Sequence, residues 1–275
     1  MNMSRLLVAL VALLMPAAAR AEGACEQWIA PALAEGPLTF GFRSADVSTG
    51  RRACPRTEAG LGVQGGAIVE TQNFYGAITA AGLLSGSYAV RPDLEVFATV
   101  EALRFQFVQN ATLTGTTMTL GQLTTGATYV ALTRGPLVVS PSVRLELPTS
   151  FASPRTRTVG GELGAAVLFR PSPRFELHGY AGADVSAGLG AAAAQPRAGF
   201  LLNVGSEYAL CSGFAAVLDA NVHFGHRAVL DYVAPAIGLR FRAGQHFGAE
   251  LGASLPLLGA ERALAIGGLK LTYRL

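Results

Sequence analysis

His178, His223, His226 and His246 are the side chains of this chain best suited to move a proton or hold a metal ion. None has a serine two residues on, so no imidazole shares a strand face with an adjacent nucleophilic hydroxyl. Asp219 and His223 are four residues apart. On an extended chain that is about 13 Å, too far for direct contact. The histidines lack the close spacing of a metal-ligand set, and Cys25 and Cys54 have no second cysteine pair to complete a tetrahedral site. Gly65-Gly66 and Gly160-Gly161 lie inside alternating stretches, with no helix start to receive a phosphate, and read as kinks in strands. These features predict a protein that is not an enzyme and holds neither metal nor cofactor.

What remains is a large set of polar side chains that recur at every second position. From Phe175 to Ser186, the residues Glu176, His178, Tyr180 and Asp184 share one parity, and Phe175, Leu177, Ala181 and Val185 the other. From Leu137 to Leu147, Ser140, Ser142, Arg144 and Glu146 alternate with Val139, Val143, Leu145 and Leu147. Asp219, Asn221 and His223 oppose Leu218, Val222 and Phe224, and Arg240 and Arg242 oppose Ile237, Leu239 and Phe241. Glu162, Glu207, Glu250, Lys270 and Arg274 fall in the same polar phase of their own stretches. Period-two alternation repeated this often specifies strands with one apolar and one polar face.

Twelve such segments follow one another, at about 61–70, 76–90, 94–108, 118–133, 137–148, 157–170, 174–187, 197–210, 214–226, 231–243, 246–257 and 263–275. The third changes phase, with Val96, Ala98 and Val100 on one parity and Leu103, Phe105 and Phe107 on the other, so a bulge is expected at Glu101 to Leu103. Tight connections fall at Arg91-Pro92-Asp93, Arg134-Gly135-Pro136, Pro171-Ser172-Pro173, Cys211-Ser212-Gly213 and Ala243-Gly244-Gln245. The connections between them are longer. Alternating short and long links belong to a transmembrane barrel with short periplasmic turns and longer extracellular loops. A secreted sandwich has no reason to show them.

The bulk composition agrees. Hydrophobic residues make up 51% and charged residues 14% of the 275 residues. Past the N-terminus, no apolar run approaches the roughly 18 residues of a membrane helix. A barrel wall reconciles these facts, because only every second residue of its strands meets lipid. The predicted fold is therefore all-β: a closed antiparallel transmembrane β-barrel over residues 60–275. Its last stretch, Gly267 to Leu275, alternates to the final residue. In a closed barrel the last strand pairs with the first and leaves no free edge. That stretch is similar to the C-terminal strand signal read by the barrel-insertion machinery, with Tyr273 in place and Leu275 where an aromatic usually stands.

Residues 1–21 read as a cleaved signal peptide: Arg5, an apolar run from Leu6 to Met15, and Ala19-Arg20-Ala21 as the cleavage site. Cys25 is not preceded by the apolar residue of a lipoprotein signal. Removing the peptide leaves 19 basic residues against 18 acidic ones, so the chain has no charge excess for nucleic acid. Residues 22–59 are a periplasmic leader or a plug. Cys25 and Cys54 flank that segment and are available for a disulfide, and Cys211 is left over as an inert thiol in a turn.

Two roles are open to the polar face: its charges pair across the lumen and fill it, or they line a solute path. Acids gather on the sixth to ninth segments and bases on the tenth and twelfth. Such a segregation of sign could orient a dipolar solute. Glu250 falls opposite Lys270 if the last hairpin turns near Gly259-Ala260. Gly160, Gly164, Gly182, Gly238, Gly248 and Gly252 share the polar phase and are expected to leave room inside.

The passage Val143-Arg144-Leu145-Glu146-Leu147-Pro148-Thr149-Ser150, followed by a loop and Thr158 to Gly164, resembles the strand–"LPTG"–loop–strand passage of the barrels associated with phenol meta-pathway degradation. Ser150 replaces the glycine of that motif. The resemblance implies twelve strands and passage of small hydrophobic molecules. The expectation is a monomeric outer-membrane channel in contact with lipid and lipopolysaccharide, passing small solutes. A non-conducting structural barrel or adhesin is the alternative, and an outer-membrane hydrolase comes last.

Overall fold

A computed structural model describes Cys25, Leu38 and residues 51–70, 75–109, 114–119, 121–148, 158–189, 196–225, 230–244, 246–258 and 265–274. Its strands are β1 (Glu58–Glu70), β2 (Tyr75–Arg91), β3 (Leu94–Gln109), β4 (Thr114–Thr119), β5 (Gln122–Tyr129), β6 (Leu132–Arg134) and β7 (Leu137–Pro148). They continue as β8 (Thr158–Ser172), β9 (Phe175–Gly188), β10 (Arg197–Cys211), β11 (Phe214–Phe224), β12 (Leu230–Ala243), β13 (Phe247–Ser254) and β14 (Ala265–Arg274). All pair antiparallel in one sheet. β1 pairs with both β2 and β14, from Glu58↔Arg274 to Ala67↔Ala265, and this closes the sheet into a cylinder.

The fourteen segments make twelve staves. β4, β5 and β6 together fill the place of the single strand expected over 118–133. β4 pairs with the outer half of β3, β5 with its inner half and with β7, and β6 with the start of β7. The physical cause of each break is a local register fault. Leu103 pairs with Gly82 and Glu101 with Leu83, so Ala102 is the extra residue of a bulge where the phase change predicts one. Across from it the ladder lapses at Gly121, whose N–H donates to Glu101 O. Between Thr128↔Ser142 and Leu132↔Val139 the β5–β6 side carries one residue more than β7, and this separates β5 from β6. The expected register of the last hairpin holds, with Glu250↔Lys270.

Two residues separate β2 from β3, β6 from β7, β8 from β9 and β10 from β11, and three separate β12 from β13. The third of these turns is Pro173-Arg174, slightly later than its sequence suggests. At the other rim nine residues separate β7 from β8, eight β9 from β10 and ten β13 from β14. The strand wall begins at Glu58, two residues before the expected boundary.

Inside and outside follow the sequence parity. Leu163 is 68% exposed on the outer face, while Glu176, Glu207 and Asn203 are fully buried within. Leu61, Val63, Val204, Leu218, Ile237 and Leu251 continue the exposed apolar band. Tyr88, Phe169, Tyr208, Phe214, Phe247 and Tyr273 stand on the outer face near the tight turns, and Phe105 and Phe200 lie toward the other rim. An aromatic girdle at the tight-turn end of the apolar band matches an interface of a membrane.

Candidate functional site

The interior is a set of buried ion pairs. Glu58, Glu95, Glu162, Glu176, Glu207 and Glu250 each have an arginine nitrogen within 2.8 Å. Arg240 bridges Glu207 and Glu250, its Nε lying 2.7 Å from Glu250. Arg170 holds Glu176 at 2.7 Å. Breaking one such pair strands a charge out of water, at a cost of about 3–5 kcal/mol. At these six glutamates the expected segregation of acids from bases is therefore offset locally.

Residues 51–56 supply much of that compensation without being part of the wall. Arg51 reaches Glu162 at 2.8 Å and lies over the Tyr180 ring, 5.3 Å from its centroid. Arg52 spans Glu58, Glu95 and Ser87, each at 2.6 Å. The Arg56 N–H donates to Glu95, and Ser140 donates to Ala53 O. Ala53 and Cys54 are buried in an apolar cluster with Val130, Val138, Ala166, Leu168 and Leu201. Cys54 is joined to Cys25 by a disulfide, with Cα atoms 5.7 Å apart. Leu38 is fully buried against Val217 and Ala236, its N–H donating to Asp219 and its carbonyl accepting from Asn221.

The inner glycines are occupied seats. The Tyr180 ring lies across Gly164 and Gly182, donating its hydroxyl hydrogen to Glu162. Leu38 covers Gly238, the Glu146 carboxylate covers Gly160 and Thr272 covers Gly248. The room these glycines leave is thus filled by side chains from neighbouring strands and from the N-terminal segment.

The sequence-predicted residues separate into neighbourhoods. Glu162 and Arg144 are register partners, with Tyr180 and Arg51 beside Glu162, and Arg144 lies 6.0 Å from the Phe97 ring centroid. Glu176, His178, Glu207, Asp219 and Arg240 form a second group, and Asn221 bonds Asn203 at 2.9 Å next to it. His223 lies between Asp184, at 3.2 Å, and Asp231, at 2.8 Å. Asp219 meets His178 at 2.5 Å, from β11 to β9, and not His223 on its own strand. Arg242 is buried, while Glu146, Glu250, Lys270 and Arg274 are half-buried. Arg274 Nε is 3.7 Å from Glu58.

Sequence reasoning missed Arg51, Arg52, Glu58, Glu95, Glu101 and Arg170. Glu95 and Glu101 share the parity of the buried Phe97 and Thr99, a signal present in the sequence. Nothing in Arg51-Arg52 marks the pair as buried, because its partners lie on distant strands.

No family model matches the chain, and no curated protein matches it. Among solved structures it is similar to an outer membrane channel from Pseudomonas putida F1, at TM-score 0.63 and 13% identity, covering 80% of this chain and 96% of that one. It is similar to the KdgM porin in complex with disordered oligogalacturonate, at TM-score 0.53 and 8% identity, covering 78% and 99%. The translocator domain of the autotransporter NalP from Neisseria meningitidis gives TM-score 0.54 at 12% identity, covering 80% and 88%. At these identities the likeness is one of architecture, and the chain has the twelve-stranded fold of bacterial outer-membrane β-barrels.

Proposed function

We propose that the protein is an outer-membrane channel for small solutes, hydrophobic ones included, and that its N-terminal segment, with Leu38 and residues 51–56 inside the barrel, is a plug. The supporting observation is that the wall closes without this segment. Each stave is bonded to wall neighbours, whereas residues 51–56 are held by side-chain pairs and isolated hydrogen bonds. The segment can therefore withdraw without opening a sheet edge. Withdrawal uncovers Glu58, Glu95 and Glu162 together with the apolar Val130, Val138, Leu168 and Leu201, an inner surface that suits small amphipathic or apolar molecules. Two of the solved structures named above are a channel and a porin, and they lend the reading their precedent. On this reading residues 1–21 direct export, the C-terminal strand engages the insertion machinery, and the monomeric barrel sits among lipid and lipopolysaccharide, performing no catalysis.

Planar-bilayer recording tests the proposal. The mature chain is expected to give small or intermittent currents, and a chain lacking residues 22–56 a larger, steady conductance. A liposome-swelling series on the shortened chain then ranks solutes. Silence from both chains, when both are folded, would leave the second reading, a non-conducting structural barrel, which the filled interior favours.

A further inference from the structure

We propose that Glu176, His178 and Glu207 bind one divalent transition-metal cation inside the barrel near its tight-turn rim, with zinc as the ion their chemistry fits. Glu176 on β9 and Glu207 on β10 are register partners, so two carboxylates face the interior directly opposite each other. Both are fully buried. Like charges so placed are destabilising on any sheet, and removal from water multiplies the cost. Arg170 and Arg240 each engage the Oε2 atom of their glutamate. The buried Oε1 of Glu176 has no hydrogen-bond partner.

His178 completes the set from two residues along β9. Its Nε2 lies 2.5 Å from Asp219 Oδ1. A carboxylate accepts, so Nε2 carries the hydrogen, and in that neutral tautomer Nδ1 presents a lone pair. That Nδ1 is buried, has no hydrogen-bond partner, and lies 4.0 Å from Glu176 Oε1, beyond hydrogen-bonding range. One donor atom from each of Glu176, His178 and Glu207 lies within 4.8 Å of the other two. In a tetrahedral site with bonds of about 2.1 Å, ligands sit about 3.4 Å apart, so small side-chain adjustments close the triad. An imidazole held by a carboxylate on its far nitrogen is the arrangement that orients metal-binding histidines. Asp219 is itself fixed, because its Oδ2 accepts the Leu38 N–H at 2.6 Å.

Charge points the same way. Three carboxylates, Glu176, Glu207 and Asp219, gather around His178, with Arg170 on Glu176 and Arg240 shared between Glu207 and Glu250. A proton shared between Glu176 Oε1 and His178 Nδ1 would join two of these groups; a cation joins all three. One nitrogen and two carboxylates suit zinc or cobalt. Calcium and magnesium prefer all-oxygen shells, and copper(I) prefers thiolates.

The test uses the full mature chain, refolded in detergent, stripped with chelator and titrated with Zn2+. One equivalent per chain is expected, with affinity reduced at least tenfold in Glu176→Gln and in His178→Gln. Heat-modifiable gel mobility verifies that each variant is folded. X-ray absorption on Zn2+-loaded wild-type protein should show nitrogen and oxygen ligands with a single imidazole. This measurement decides the matter even if neither variant folds. No retained zinc, binding unchanged in both folded variants, or a shell with sulfur or several imidazoles would overturn the site and assign the cluster to bound water or a shared proton. The result is independent of conductance, since the three ligands belong to the wall.

Discussion

The interior depends on single atoms that bare backbone admits. Gly205 lies between its two register partners, His178 on β9 and Asp219 on β11. The bond joining those side chains passes directly over it, and a Cβ there would overlap the Asp219 carboxylate and crowd His178 Nε2. Gly205→Ala is therefore expected to separate the pair and lower stability in urea unfolding by about 2–4 kcal/mol, the penalty of a buried charged hydrogen bond lost. Gly82→Ala meets no atom within 4 Å and is the control, expected to stay within about 0.5 kcal/mol of wild type. Tyr180→Phe keeps the ring over Gly164 and Gly182 but removes the donor to Glu162. A loss of about 1–3 kcal/mol in the same assay is expected. The polar parity of all these residues is legible in the sequence. Their partners are not: His178 and Asp219 are 41 residues apart, and only the register of β9, β10 and β11 superposes them.

At the scale of elements, the sheet and the N-terminal segment hold together by different means. Strands share ladders of backbone bonds, whereas residues 51–56 depend on a few side chains. Arg52→Ala removes the guanidinium shared by Glu58 and Glu95, leaving two fully or nearly buried carboxylates without it. The expected cost is about 3–5 kcal/mol. It should appear as faster trypsin cleavage after Arg51 or Arg56 while the heat-modifiable barrel band persists. An unchanged cleavage rate would mean that the segment is held elsewhere. The strands themselves were legible because alternation is a local property. The division of the fourth stave into β4, β5 and β6 was not. It follows from the bulge at Ala102 and from the one-residue excess before β6, and both are properties of pairing between strands.

For the whole molecule, the outer face and the closure make separate predictions. Leu163, opposite Val143 and Ala183 midway along β8, lies in the apolar band. Leu163→Arg should destabilise the protein in lipid vesicles by about 2–4 kcal/mol, as cations do at a bilayer midplane, read by urea unfolding against wild type in the same vesicles. Closure is tested by Val63→Cys with Leu269→Cys, register partners across β1 and β14. Oxidation should link them and shift the gel mobility of the boiled chain until reductant is added. Val63→Cys with Leu251→Cys, two strands away, should give no shift.

The sequence by itself determined the wall: how many staves, which face of each is apolar, where the tight turns fall and that both ends of the sheet meet. Periodicity and turn chemistry encode these properties in neighbouring residues, so they survive without coordinates. The tertiary structure alone decided what fills the cylinder. Arg51 and Arg52 look like ordinary solvated charges until they meet Glu162, Glu58 and Glu95, and the glycines look like empty space until Tyr180 and Leu38 lie across them. Those pairings join residues far apart in the chain, and only the closed register of the barrel brings them within reach.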